Sequence, residues 1–91
     1  MIEAELLWDD ASIEHIWERH HLRIEEVDEA FHNPKALIHT GRYGRQVVYG
    51  QTEGGRYLTI IVKFESRHTA WLITARDMTN SERQRYKRRF K

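Results

Sequence analysis

The sequence predicts an α+β domain, with two helices first, then an antiparallel sheet of about four strands, then a last helix. Three observations carry this. Before Pro34, the sole proline, apolar residues recur at helical spacing. From Ala36 to Ala75 they alternate or run β-branched, with glycines at the turns. Thr79 and Glu82 then stand at capping-box spacing, ahead of a basic stretch. Helices gathered at the chain ends, and not between strands, distinguish this class from a doubly wound α/β fold.

In order, Ile2 to Trp8 has the makings of a short additional edge strand. Asp9 or Asp10 offers an N-cap. Ile13, Ile16, Trp17 and His20 fall at i, i+3, i+4 and i+7 on one face of the first helix. The second helix carries Ile24, Val27, Ala30 and Phe31 inward and Glu25, Glu26, Asp28 and Glu29 outward. Asn33-Pro34 ends it, because proline pushes the residue before it out of helical geometry. Ala36 to His39 begins the sheet, and Gly41 and Gly44 make a turn. Arg45 to Thr52 reads as a strand, and Glu53-Gly54-Gly55-Arg56 as a hairpin turn. Tyr57 to Phe64 and Thr69 to Ala75 complete the sheet, with Arg76 expected on the face of Leu72 and Thr74. Strands joined by such short turns must be antiparallel neighbours. The last helix runs towards Lys91 and has only Tyr86 and Phe90 as an apolar stripe, so it is expected to lie lightly on the body or to reach for a partner.

The 91 residues make one domain with one core, spanning residues 1–91. Without cysteine there is no disulfide and no thiolate metal site, which fits a reducing cytoplasm. No apolar run approaches the roughly 20 residues of a membrane span. The acidic stretch from Met1 to Asp10 does not read as a signal peptide. The net charge of +1 hides an asymmetry: residues 1–31 hold ten acids against Arg19 and Arg23, and residues 32–91 hold thirteen bases against four acids. Either these are two solvated faces, or the basic half is a surface for phosphates.

Six histidines are present, and none pairs at metal-ligand spacing with a third ligand, so a metal site would need tertiary assembly and none is expected. No cofactor is expected either. His20, on the inner stripe at a helix end, either faces a cleft or is a buried ring satisfied by a carbonyl. There is no nucleophile elbow and no phosphate-cradling glycine loop. Arg76 closes an otherwise apolar strand. It is placed either to fork onto a phosphate or to pair with Asp77 or an acid of the second helix. Arg45 and Lys63, also on strands, are expected to meet it across the sheet. Cleaving RNA without a metal takes a group that accepts the 2′-hydroxyl proton, cations that hold the phosphorane charge, and a group that protonates the leaving oxygen. Arg45, Lys63, Arg76, Arg83, Tyr86, His20 and Glu82 form such a set.

Those motifs carry a resemblance. Arg19-His20-His21-Leu22-Arg23-Ile24-Glu25-Glu26-Val27, then Phe31-His32-Asn33-Pro34, then Arg45, Gly50, Gly55-Arg56 and Ile73-Thr74-Ala75-Arg76, and finally Glu82-Arg83 with Tyr86, resemble in order the BrnT-type toxins of bacterial toxin–antitoxin pairs. Trp8 fits the aromatic that opens such domains. The likeness runs from Trp8 to Tyr86. It implies a fold similar to the RelE-like ribonuclease toxins and an RNA-cleaving activity that inhibits translation. It also implies a cognate antitoxin, expected to be of the ribbon–helix–helix DNA-binding type, through which any contact with DNA would run. By position it gives catalytic roles to Arg76, Arg45, Tyr86 and His20, with Arg83 adding charge; Arg83, Lys63 and Arg56 are the residues expected to contact RNA. His21 departs from the pattern, standing where a glycine often closes the first helix, and Thr74 replaces a serine. The alternative readings are a nucleic-acid-binding module without catalysis, in which the basic last helix lies along phosphates, and an antitoxin-binding subunit.

Overall fold

In a computed structural model, which describes residues 1–90, the chain forms β1 (Glu5–Leu7), α1 (Asp10–His20), α2 (Ile24–Phe31), β2 (Leu37–Thr40), β3 (Gln46–Gln51), β4 (Tyr57–Ser66), β5 (Thr69–Asp77) and α3 (Asn80–Arg88). The α+β class and the element order are as expected. The sheet has five strands in the order β1-β5-β4-β3-β2 and is mixed, because β1 pairs parallel with β5 while every other pair is antiparallel. The short N-terminal strand is therefore a fifth strand, Glu5 opposite Thr69 and Leu7 opposite Trp71. Lys91 lies outside the described residues.

With β1 and β2 at opposite edges, the chain must cross one face of the sheet between them. The two helices make that crossing, α1 over β5 and α2 over β3 and β4. The core lies between: Ile16, Leu22, Val27, Ala30 and Phe31 pack on Val48, Leu58, Ile60, Val62, Ala70, Leu72 and Ala75, with Ala4 and Leu6 closing the edge. Gly50 is the point of closest approach. A Cβ there would lie 2.1 Å from the Ala30 carbonyl oxygen, so α2 rests directly on the backbone of β3. No helix among the described residues is long and apolar enough to cross a membrane.

The helix ends follow the sequence cues. The Asp9 carboxylate accepts the Ser12 N–H at 2.8 Å and opens α1. Thr79 and Glu82 make the full capping box at the start of α3. The first stripe needs a correction: Ile16 is fully buried but Trp17 is 49% exposed, packed edge-on against His21. Tyr86 is 5% exposed and anchors α3 more firmly than a two-residue stripe suggests. Between Glu53 and Arg56 the chain makes the expected hairpin, with Gly55 at φ 95°.

His21 takes the left-handed conformation that glycine ordinarily supplies at a helix end, at φ 50° and ψ 40°. Its N–H donates to Trp17 O, and the Leu22 N–H donates to Ile16 O at 3.1 Å, so the helix closes as it would with glycine. A side chain costs about 1–2 kcal/mol in this conformation, and the Trp17 contact returns part of it. His21→Gly is expected to raise unfolding stability by up to about 1 kcal/mol, read as a higher urea midpoint at unchanged slope.

The expectation that Arg76 shares a face with Leu72 is overturned. A register shift between the Ile61–Thr74 and Val62–Leu72 pairs leaves Ile73 as an extra residue. Leu72 and Ala75 both point into the core, and Thr74 and Arg76 point to the opposite face.

Candidate functional site

The face of the sheet away from α1 and α2 can be read in rows from the strand register. Leu37, Tyr49, Thr59 and Arg76 form one row, and His39, Val47, Ile61 and Thr74 form the next. Of these two rows helix α3 covers the first, and it extends away from the second over Tyr57, where Tyr86 meets the Tyr57 ring at 6.0 Å. It is fastened to the first row by one carboxylate. Glu82 receives Arg76 Nη1 at 2.8 Å, Arg76 Nη2 at 3.1 Å, the Thr59 hydroxyl at 3.0 Å, the Thr79 N–H at 2.9 Å and the Tyr49 hydroxyl at 3.4 Å. The bidentate fork of Arg76 is the strongest of these. It is the main reason the Glu82 carboxyl is held down at about 2, against the opposing push of burial. Thr59 is fully buried, and Glu82 is its acceptor. Tyr86 sits one turn further along α3 and donates its hydroxyl to Lys35 O at 3.1 Å.

Between α3 and strands β2 and β3 this leaves a cleft of about 210 Å³ lined by Leu37, His39, Tyr49, Glu82, Arg85, Tyr86 and Arg89. The His39 ring meets Tyr49 edge-on at 5.4 Å. Burial, and next the Glu82 charge, push the Tyr49 hydroxyl above its ordinary pKa, with Arg85 and Arg76 pulling the other way. Tyr49 therefore keeps its proton and acts as a donor. Burial also raises the Tyr86 hydroxyl. Arg85 and Arg89 are exposed, and among the described residues neither makes an ion pair. Among the described residues the cleft thus gathers an imidazole, a protonated phenol and two guanidiniums outside any ion pair, with Glu82 the one acid lining it. Among the described residues no group of three or more histidine or acidic side chains is gathered as metal ligands would be.

The residues singled out from sequence do not converge as a set. Arg76 and Tyr86 belong to this end of the molecule. The partner of Arg76 is Glu82, and not Asp77 or an acid of the second helix. Arg83 lies over the Tyr57 ring, 4.5 Å from its centre. Lys63 shares the face of Arg76 but stands four strand positions along, about 13 Å away. Arg45 lies in the turn just before β3, exposed, and does not meet Arg76. His20 and Arg56 are on the other side of the sheet. Arg56 donates Nη2 to His20 O at 2.9 Å, Nη1 to His21 O at 3.1 Å and Nε to Asp77 at 2.7 Å, with Glu26 nearby. Its guanidinium staples the end of α1 to the sheet and holds the Asp77 carboxyl below its ordinary pKa. The His20 ring lies against His15, 6.2 Å between centres.

His39, Tyr49, Arg85 and Arg89 stand in no motif, and sequence reasoning misses them. One signal is available. Folding the Gly41–Gly44 turn as a tight hairpin pairs His39 with Val47 and sets it diagonally beside Tyr49.

The crystal structure of the Brucella abortus ribonuclease toxin BrnT has the same fold, at a TM-score of 0.71 over 85% of this chain and 99% of that one. The two sequences are 18% identical, so the likeness is one of fold. No protein-family model and no curated protein matches the chain.

Proposed function

We propose that this chain is a ribonuclease toxin of a toxin–antitoxin pair, and that it cleaves RNA without a metal in the cleft under α3. The observation that carries the reading is the grouping of His39, Tyr49, Arg85 and Arg89 in one cleft, on a fold shared with a ribonuclease toxin. His39 takes the proton from the 2′-hydroxyl as that oxygen attacks the phosphorus. Arg85 and Arg89 hold the charge that builds on the phosphorane oxygens. Tyr49 gives its proton to the departing 5′-oxygen, leaving a 2′,3′-cyclic phosphate and a free 5′-hydroxyl, and the proton taken by His39 returns to Tyr49 through solvent. Arg76 is a positioning residue here, since its fork is spent on Glu82 and fixes the helix that carries both free arginines. Cleavage of RNA in the cytoplasm would inhibit translation. An antitoxin, of the ribbon–helix–helix type, would silence the protein by covering the basic α3.

His39→Ala should lower RNA cleavage by about 10²–10⁴-fold. Because His39 is exposed, the thermal transition should stay where it is. The assay is gel analysis of RNA incubated with purified protein, run beside growth curves after induction in bacteria. Wild-type protein that is soluble and abundant, with intact RNA and normal growth, would refute the enzymatic reading.

A second reading is a module that binds RNA without cutting it. It is favoured by one observation: Glu82, the one acid lining the cleft among the described residues, is held ionised by Arg76 and so has no proton to give to a leaving oxygen. Tight RNA binding with no cleavage by the wild type would select it.

A further inference from the structure

Helix α3 covers one end of a sheet face and leaves the rest open. The row beyond His39 and Val47 consists, by register, of Lys63 opposite Trp71 and Trp71 opposite Leu7. Arg45 continues it, since Gln46 and Val62 are the last β3–β4 pair and Arg45 precedes Gln46 as Lys63 follows Val62. This row is two strand positions, about 7 Å, past the row of His39 at the cleft edge. Trp71 is 41% exposed although it stands within a sheet. Its indole N–H reaches Glu65 at 3.4 Å, which engages the rim of the ring and not its face. Lys63 and Arg45 are exposed, and among the described residues neither makes an ion pair. Val47, Ile61 and Thr74, between this row and the cleft, are uncharged and half-buried. Glu65 and Glu5 lie one row further out, so the acids bound the far side of the row.

We propose that the open face around Trp71, Lys63 and Arg45 is a platform for single-stranded RNA, on which a base of the substrate stacks while a neighbouring phosphate occupies the cleft. Three observations lead to this occupant. The cleft, at about 210 Å³, is smaller than the roughly 300–1,000 Å³ that encloses a drug-sized ligand, so it suits a phosphodiester and leaves bases to be held elsewhere. The platform is continuous with the cleft along β3 and β4. Its cations match a phosphate backbone, and an aromatic beside cations on an open sheet is how unpaired bases are held, since every base has a π-face. A duplex, whose bases are already stacked on one another, cannot use it. The inference rests on the RNA-directed reading above and adds its substrate class: single strands reaching past the scissile phosphate.

The test uses the full chain with Trp8→Phe and Trp17→Phe, which leaves Trp71 as the sole indole, and a short single-stranded 2′-O-methyl oligoribonucleotide, which cannot be cleaved through its 2′-oxygen. Saturation should quench the Trp71 fluorescence. In the otherwise wild-type chain, Trp71→Ala should weaken binding about tenfold, and Trp71→Phe should retain most of it. Lys63→Ala and Arg45→Ala should each flatten the log–log salt slope by about 0.7. All the positions substituted are exposed or partly so, and far-UV circular dichroism checks that each variant is folded. Unchanged affinity in Trp71→Ala, no quenching at saturation, or equal binding of a duplex would each overturn the platform. The two readings separate cleanly. Trp71-dependent binding without cleavage of the unmodified strand keeps the platform and removes the nuclease. Cleavage indifferent to Trp71 does the reverse.

Discussion

Gly50→Ala is expected to abolish cooperative folding. The added methyl would meet the Ala30 carbonyl oxygen at 2.1 Å, the Ala30 carbonyl carbon at 2.8 Å and its Cα at 3.3 Å. All three are backbone atoms, so no rotamer change relieves the contact. The only relief is to lift α2, and that opens the seam between Val27, Ala30 and Phe31 on one side and Val48, Leu58 and Ile60 on the other, all of them fully buried. Ordinary overpacking costs about 1–3 kcal/mol because side chains yield. Here the cost should exceed about 4 kcal/mol, a large share of the roughly 5–15 kcal/mol by which a domain is stable. Urea unfolding followed by far-UV circular dichroism should show a lost or strongly shifted transition. Adding Ala30→Gly should not rescue it, because the clash is with the carbonyl and not with the alanine methyl. A midpoint within about 1 kcal/mol of wild type would mean that α2 is free to slide on β3.

Changing Glu82 should unlatch α3. Glu82→Ala strands the buried Thr59 hydroxyl and removes the counter-ion of Arg76. An orphaned buried polar group costs about 1–3 kcal/mol, and the lost capping box about 1 kcal/mol more. The expected destabilisation is about 3 kcal/mol, and on the proposed reading RNA cleavage falls with it because Arg85 and Arg89 lose their fixed positions. The pH dependence follows from the same carboxyl. Its ordinary value of 4.5 is lowered to about 2 in the fold, so the unfolded chain takes up its proton first. The stabilisation is complete above about pH 4.5 and is lost as the pH falls towards 2. Every tenfold weakening of proton affinity on folding corresponds to about 1.4 kcal/mol. Arg76 is 39% exposed, so solvent screening trims the total to roughly 2 kcal/mol. Asp77, held low by Arg56, titrates in the same direction. Urea midpoints measured from pH 7 to pH 3 should fall for the wild type and fall less for Glu82→Gln. Parallel curves would place the acid sensitivity elsewhere.

Local signals are legible in the sequence, and long-range ones are not. The capping pair Thr79 and Glu82 can be read because both ends of the contact lie within one turn. Its second use cannot, because Arg76, Thr59 and Tyr49 come to Glu82 from three strands. Helix α2 is legible since Val27, Ala30 and Phe31 face a single surface. Trp17 escapes because α1 presents a narrower inner stripe than its periodicity implies, with Ile16 its one buried residue. The face of Arg76 is lost to a single extra residue, Ile73, since strand periodicity is two and one insertion inverts everything after it. The cation cluster fails for a related reason: shared parity puts Lys63 and Arg76 on one face, while only register says how far apart they stand. His39 is harder still. Its neighbour Tyr49 is reached across the β2–β3 hairpin, and its cations come from a helix at the other end of the chain.

The parallel pairing of β1 with β5 has a consequence for biosynthesis. Glu5 finds its partner only at Thr69, so β1 leaves the ribosome with nothing to pair with until β5 has followed. During elongation at about 5–20 residues per second, α1 and α2 emerge with bare apolar faces and no sheet to lie on for seconds. Pairings that distant also slow the folding search itself. Arg76, at the end of β5, is what fastens α3 down, so a nascent chain has no cleft until α3 is free as well. The interval between synthesis and a formed cleft is then set by topology, and on the proposed reading an antitoxin has that interval in which to meet the chain.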